Sequence, residues 1–305
     1  MILARRLAFS IFIGLASMTR LAAQDMPATG EGLAAEQVDP GAGQTLTITG
    51  ELQQSDAERR AEAARYFGSH AAATRIGQFA RWNHRVCVRT WGLPLALNAQ
   101  VSNRVMDVME RLGIPTNRAA LCRPNVRIGF TPAPQVMIER AVARNRMIIG
   151  FHYASQREQI TRIRQPVQAW YATTTIGAAG LEVLDDAAEP APGGRAYSRL
   201  TADMSSGLEH VLVLADTRIL AGEEVGPVAE LLAFYALAPT RVADVCDAAM
   251  TILNLTNPAC PPAQRPTELT RQDLAYLRAI YRTNPTLGPR QQRGAIVGNM
   301  ANQLQ

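Results

Sequence analysis

The most apolar stretch of the chain, residues 222–238, predicts a helix that is buried on every side. Pro227 suits its first turn, where a missing N–H costs nothing, and Glu230 is the only charge inside it. Apolar side chains cover nearly the whole circumference: Val228, Ala229, Leu231, Leu232, Phe234, Tyr235 and Leu237. A helix that is apolar all round belongs in a protein interior. We therefore expect the C-terminal part of the chain to pack around it.

Three further helices are predicted before this segment. Ser55 with Glu58 three residues later forms a capping-box pattern, which predicts a helix to about residue 67. Residues 134–144 predict another helix. The third has one apolar face at helical spacing and ends at Gly113. That face consists of Leu97, Val101, Val105, Val108, Met109 and Leu112.

Apolar runs predict five strands, at residues 85–91, 125–131, 147–153, 166–174 and 208–215. The last run is apolar on both faces in its second half, which is typical of a central strand. The order strand, helix, strand over residues 85–131 predicts a parallel crossover. Residues 156–164 fit either a short helix or a loop that guards a sheet edge, and residues 177–195 predict an exposed loop.

Two helices are predicted near the C-terminus. Thr270, with Asp273 three residues later, is a helix-capping pattern, and Ile296 and Met300 begin a last amphipathic face that continues to Leu304. Together these elements predict one α+β domain over residues 55–305. Its expected core is a mixed, mostly parallel sheet with packed helices.

The N-terminus has the three parts of a signal peptide, predicted as residues 1–23. Arg5 and Arg6 precede the apolar residues 7–17, and small residues follow. This apolar run is shorter than the roughly 20 residues that span a bilayer, and no later stretch is long enough. Residues 24–54 predict a disordered leader because they are rich in Ala, Gly, Pro and acidic residues without periodicity. We expect an exported protein, periplasmic or secreted.

The charge balance argues against a nucleic-acid partner. All 31 basic residues are Arg, and removal of Arg5, Arg6 and Arg20 with the signal leaves 28 basic against 26 acidic residues, a net charge near +2. Binding to a polyanion favours a much larger excess of positive charge. No cluster of Arg is interleaved with aromatic residues as in a base-stacking surface.

Four cysteines in an oxidising compartment predict two disulfides. Cys87 lies near the start of the first strand and Cys122 just before the second. Because neighbouring parallel strands start at the same end of a sheet, we expect these two cysteines to pair. Cys246 and Cys260 flank an irregular stretch after the buried helix and form the second predicted pair.

The order of the elements and the phrases of the C-terminal third resemble the metzincin-type metalloprotease domain. In that family the buried helix carries the zinc motif HExxH. Here residues 229–233, AELLA, align with it, Met250 lies near the family's Met-turn, and residues 269–273, LTRQD, match the opening of the following helix. The whole chain also resembles a group of exported proteins of Gram-negative bacteria with no assigned activity, whose metzincin-like fold lacks the zinc motif.

The departure from the motif decides the expected chemistry. Zinc needs at least three ligands, and both motif histidines are Ala here. Glu230 stays the only catalytic candidate, and the alternative is a structural Glu at the wetter edge of a buried helix. His152 and His210 are candidate metal ligands if the two strands bring them together. Because no histidine pair has a ligand spacing, we expect no cofactor and lean against an enzyme.

One candidate binding surface is carried by Trp170 and Tyr171, on a strand expected near a sheet edge, where an extended peptide could add as a further strand. The alternative is that one ring faces the core and the other simply covers it. The leading hypothesis is a non-catalytic binding or structural protein, a pseudoenzyme, whose partner is a peptide or an envelope protein. The other hypothesis is a zinc-dependent hydrolase with a non-standard ligand set.

Overall fold

The computed structural model describes residues 54–177, 180–185, 204–241, 246 and 249–305. The predicted signal peptide lies outside these residues, as do the predicted leader up to residue 53 and most of the predicted loop 177–195. The residues from Leu52 to Gln305 form one compact unit.

The described part contains seven α-helices and five strands. The helices are α1 (Asp56–His70), α2 (Leu95–Arg111), α3 (Pro134–Arg144), α4 (Arg157–Thr161), α5 (Val225–Leu237), α6 (Arg271–Arg282) and α7 (Pro289–Gln303). The strands are β1 (Val88–Trp91), β2 (Val126–Thr131), β3 (Val167–Gly177), β4 (Glu182–Leu184) and β5 (Met204–Asp216).

All five strands form one mixed sheet in the order β1-β2-β5-β3-β4. β1, β2 and β5 run parallel, whereas β3 is antiparallel to β5 and β4 is antiparallel to β3. The central position of β5 was predicted from its apolar second half, and β1 and β2 form the predicted parallel crossover around α2. The α+β class and the mixed sheet are confirmed.

Helices cover the two faces of the sheet unequally. One face packs against α1, α2, α5, α6 and α7 around a large core. The other face carries a smaller core that brings Trp170, Leu212 and Leu214 from the strands against Ile138 and Val142 of α3. Among the described residues, this second layer consists of α3, α4 and the turn that follows α3, and these elements leave part of the sheet without a helical cover.

The predicted burial of α5 is confirmed. Its residues from Pro227 to Leu237 are all buried, and α5 contacts α2, α6, β3 and β5. The helix-capping patterns are also confirmed. Ser55 forms a capping box with Glu58 at α1, and Thr270 forms one with Asp273 at α6.

The carboxylate of Asp273 does more than cap its own helix. It is buried and accepts hydrogen bonds from the hydroxyl groups of Tyr66 and Thr251 and from the backbone N–H of Ile252, at 2.8 Å for the last. The hydrogen bond to Thr270 N, also 2.8 Å, closes the cap. One side chain therefore ties α1, the turn Ile252–Thr256 and α6 together. Burial and the nearby Asp273 raise the pKa of Tyr66 well above its ordinary value.

The strand predicted at residues 147–153 is wrong. The structure has a 3-10 turn at Arg146–Ile149, with the side chain of Asn145 accepting from Met147 N at 3.0 Å. Gly150 follows at φ 76°, and its backbone lies so close to Tyr171 O that a Cβ atom would stand 2.2 Å away. A short apolar run does not by itself distinguish a strand from a buried turn. Ile149 is buried in the smaller core, which satisfies the same apolar pattern.

Smaller differences concern the ends of elements. β1 begins at Val88, three residues after the predicted start, and Val86 forms only an isolated bridge with Thr116. Residues 156–164 contain the short helix α4 rather than a loop. The predicted loop 177–195 contains β4, which pairs with residues Thr174–Ile176 of β3.

The cysteines pair as predicted. Cys87 is bonded to Cys122 with their Cα atoms 6.1 Å apart, and Cys246 to Cys260 at 4.8 Å. By loop-closure entropy, cross-links over 35 and 14 residues stabilise the folded state by about 3–4 kcal/mol each. Two disulfides fit an exported protein. In the described residues, no helix has the length and apolar character of a membrane span.

We predict that Leu231→Ala or Phe234→Ala lowers the free energy of unfolding by about 2–5 kcal/mol, because both side chains are fully buried in α5. Leu121→Ala is the matched control, since Leu121 is 99% exposed and the change should stay within about 0.5 kcal/mol. Chemical denaturation of the three variants measures the difference. An equal, small effect at all three positions would contradict the central place of α5.

Candidate functional site

Glu230, the only catalytic candidate, is part of a buried ion pair. Its side chain is 1% exposed, and Oε1 accepts a hydrogen bond from Arg111 at 2.7 Å and forms an ion pair with Arg104 at 2.8 Å. Both arginines come from α2 and remain about half exposed, so they cover the carboxylate from the solvent side. Glu230 was expected, as a structural residue, at a wetter edge of the buried helix, and this expectation is wrong. The carboxylate joins α5 to α2. The described residues contain no group of three or more His, Cys, Asp or Glu side chains that could hold a metal ion.

Trp170 and Tyr171 do not form the predicted aromatic surface, because neighbouring strand residues point to opposite faces. Trp170 lies in the smaller core and donates its indole N–H to Ile160 O at 2.9 Å. Tyr171 packs against the large core and donates its hydroxyl to Tyr235 O of α5, also at 2.9 Å. Burial raises the pKa of Tyr171 well above its ordinary value. Tyr171 also lines a cleft of about 480 Å³, and Trp170 is not among the residues that line this cleft.

The two candidate metal ligands have different surroundings. His152 lies after the 3-10 turn and donates its Nδ1–H to Gly150 O at 2.9 Å, which is a local structural contact. His210 lies on β5, opposite Ala172 of β3, in a cleft of about 460 Å³. The structure does not place the two histidines in one group of potential ligands within the described residues.

We call the cleft around His210 the basic cleft and define it by the polar residues His84, Arg123, Asn125, Arg127, Asn145 and His210. The register of the sheet explains its floor. Arg127 of β2 pairs with Leu212 of β5, and His210 lies two residues before Leu212 on the same strand. Ala172 of β3 pairs with His210. The side chains of Arg127, His210 and Ala172 therefore lie on one face of the sheet. This is the face that carries the smaller core.

The cleft is open because the covering layer ends there. α3 covers Leu212 and Leu214, and its C-terminal Asn145 and the following Met147 and Ile148 form one wall of the cleft. Beyond that wall, neither α3 nor the turn reaches His210. Backbone hydrogen bonding keeps the floor rigid, since Val211 N donates to Asn125 O at 2.9 Å.

The charged residues that line the cleft are Arg123, Arg127 and Glu209. Within the part of the chain that the structure describes, the side chains of Arg123 and Arg127 make no hydrogen bond or ion pair with another residue. Two carboxylates lie nearby. Glu182 is committed to His84 Nε2 at 2.7 Å and to the hydroxyl of Thr174 at 2.6 Å, and Glu209 is exposed at the rim. Two guanidinium groups are thus left for a ligand.

His210 adds a buried polar group without a partner. Neither ring nitrogen has a hydrogen bond to any described residue, and both are shielded from solvent. Burial, followed by the positive charge of Arg127, lowers the pKa of His210 to about 4. The ring is therefore neutral at pH 7, with one N–H to donate and one lone pair to accept.

Sequence reasoning found part of this site. It singled out His210, but as a metal ligand, and it missed Arg123 and Arg127. In a chain whose basic residues are all Arg, individual arginines carry no signal. Their location on the uncovered face depends on where α3 ends.

Comparisons with protein-family models, with curated proteins and with solved structures find no match for this chain. The resemblance to metzincin-type metalloproteases therefore stays a prediction.

We predict that His210 lowers stability at acid pH. Its pKa is about 4 in the folded protein and about 6.5 when unfolded, so the unfolded state binds the proton first as the pH falls. The free energy of unfolding should fall between about pH 6.5 and 4, by about 3 kcal/mol in full. His210→Phe should lack this contribution, whereas the exposed control His84→Phe should retain it. Chemical denaturation from pH 7 to 4 would refute the prediction if His210→Phe and the wild type showed the same pH dependence.

We predict that Glu230→Gln leaves any activity or ligand binding unchanged but lowers the free energy of unfolding by about 1–3 kcal/mol. The variant keeps the shape but loses the charge that two arginines contact. Glu110→Gln on α2 is the control. Its ion pair with Arg118 is exposed, so the change should be below about 1 kcal/mol. Loss of function in a folded Glu230→Gln protein would make this residue a catalytic candidate again.

Proposed function

We propose that the chain is an exported, non-catalytic binding protein of the periplasm or cell envelope, whose ligand occupies the basic cleft. The carrying observation is the buried, unpartnered ring of His210 beside two unpaired arginines. A buried polar group without a hydrogen bond costs stability unless something satisfies it. A ligand in the cleft supplies that partner once the side chains that shield the ring nitrogens have moved aside.

The non-catalytic part of the proposal is supported by Glu230. In the resembled motif this position holds the general base, which needs a free carboxylate beside a reacting water. Here Oε1 is held by Arg104 and Arg111, and α2 separates the carboxylate from solvent. The proposal therefore takes from the resemblance an expectation about the fold and none about catalysis.

Hydrogen exchange followed by mass spectrometry tests the binding function with a ligand that is still unidentified. Mature protein is incubated with a concentrated extract of the cell envelope. We expect slower exchange at residues 145–148 and 208–211, which line the cleft. Arg127→Glu should abolish this protection. Arg140→Glu makes the same charge change on the exposed side of α3 and should preserve it.

The same preparation separates the two hypotheses about catalysis. Metal analysis after dialysis should find no stoichiometric zinc. One zinc per chain that survives dialysis would favour the zinc-dependent hydrolase instead. Absence of any protection in the cleft, or equal protection in Arg127→Glu, would overturn the binding proposal.

A further inference from the structure

The basic cleft has features that narrow the chemical class of its ligand, and this inference rests on the proposed binding function. Arginine prefers planar or tetrahedral oxyanions, which it binds through two parallel N–H groups. Arg123 precedes β2, whereas Arg127 lies on β2 and His210 on the neighbouring β5. The donors therefore approach the cleft from different positions on its wall and floor.

We propose that the basic cleft binds a phosphoryl group, with Arg123 and Arg127 contacting its oxygens and the ring of His210 completing the hydrogen bonds once the side chains that shield it have moved aside. A tetrahedral phosphoryl group has oxygens for three separate donors, whereas a carboxylate has only two oxygens in one plane. A volume of about 460 Å³ accommodates this group together with a small organic substituent.

The other side chains of the cleft are compatible with an anion. Asn125 is already used, because its side chain accepts from Cys87 N at 2.8 Å and donates to Arg85 O at 3.1 Å. These two hydrogen bonds of the Asn125 side chain hold the backbone in place beside Arg127. His84 Nε2 donates to Glu182 at 2.7 Å, so one oxygen of this carboxylate is already hydrogen-bonded inside the protein. Only Glu209, exposed at the rim, carries an unpaired negative charge within the described lining.

Binding of an anion should be linked to protonation of His210. The charged or titratable groups around the ring are Arg127 from β2, Arg123 before it, the pair His84 and Glu182, and Glu209. β3 contributes Ala172, and the end of α3 contributes only uncharged residues. Arg127 disfavours a protonated ring, and a bound anion offsets that charge. The pKa of His210 should therefore rise on binding, so that binding strengthens as the pH falls.

Isothermal titration calorimetry at low ionic strength tests the proposal with inorganic phosphate and with glycerol phosphate. We expect one site per chain. Arg127→Gln and Arg123→Gln should each weaken binding by about tenfold or more, because each removes a charge-assisted contact. Arg140→Gln on α3 is the matched control and should bind like the wild type. If a cleft variant does not fold, as judged by its circular dichroism spectrum, the other cleft variant carries the test.

Two further probes decide the chemical class. Acetate should bind at least about tenfold more weakly than phosphate, since it reaches fewer donors. Sulfate remains a dianion between pH 5 and pH 7. Any change in its affinity over this range therefore reports the protonation of His210. If a bound anion raises the pKa of His210 by about two units, sulfate binds about tenfold more tightly at pH 5 than at pH 7. His210→Gln should remove this pH dependence.

The source of the phosphoryl group is distinguished with vesicles. Binding of glycerol phosphate without binding to vesicles of phosphatidic acid identifies a free phosphate ester. Specific binding to those vesicles, lost in Arg127→Gln, identifies a lipid headgroup. Either result supports the proposal.

Equal binding of phosphate to the wild type and to Arg127→Gln would overturn the phosphoryl site, as would acetate binding as tightly as phosphate. If the cell-envelope extract protects the cleft but phosphate does not bind, the binding function stands and this inference alone falls. If neither the extract nor phosphate affects the cleft, both fall.

Discussion

The removal of α5 from water is the constraint on which the rest of the structure depends. Eleven consecutive buried residues need partners on all sides, and α2, α6, β3 and β5 provide them. The same burial makes the single charge of Glu230 expensive. Arg104 and Arg111 extend from α2 and meet the carboxylate at hydrogen-bonding distance. The packing of α2 on α5 therefore rests on an apolar contact and a charged one.

The two faces of the sheet differ in how far helices cover them. The face of the sheet next to α5 packs in the large core, and several polar groups there form hydrogen bonds inside the protein. Asp273, for example, joins three elements through one buried carboxylate. The opposite face is covered by α3 and its short neighbours, which end before the strands do. Within the described residues, the basic cleft forms on this second face.

The basic cleft shows what such an uncovered sheet surface presents. Strand residues at its floor alternate between the two faces, so the positions that continue the line of Leu212 and Trp170 become accessible beyond the end of α3. At these positions the chain has Arg127 and His210 where a continued core would need apolar residues. Arginine side chains on a concave surface attract anions and increase their local concentration.

The amino-acid sequence alone determined the elements whose cause is local. The capping boxes at Ser55 and Thr270, the apolar circumference of α5 and the central strand β5 were all predicted from side-chain spacing, and the strand order gave the Cys87–Cys122 pair. The tertiary structure decided whatever depends on a neighbour. It converted residues 147–153 from a strand into a turn, placed Trp170 and Tyr171 in separate cores, and paired Glu230 with two distant arginines. The basic cleft belongs to this second group, because periodicity specifies which face a residue occupies but not whether another element covers it.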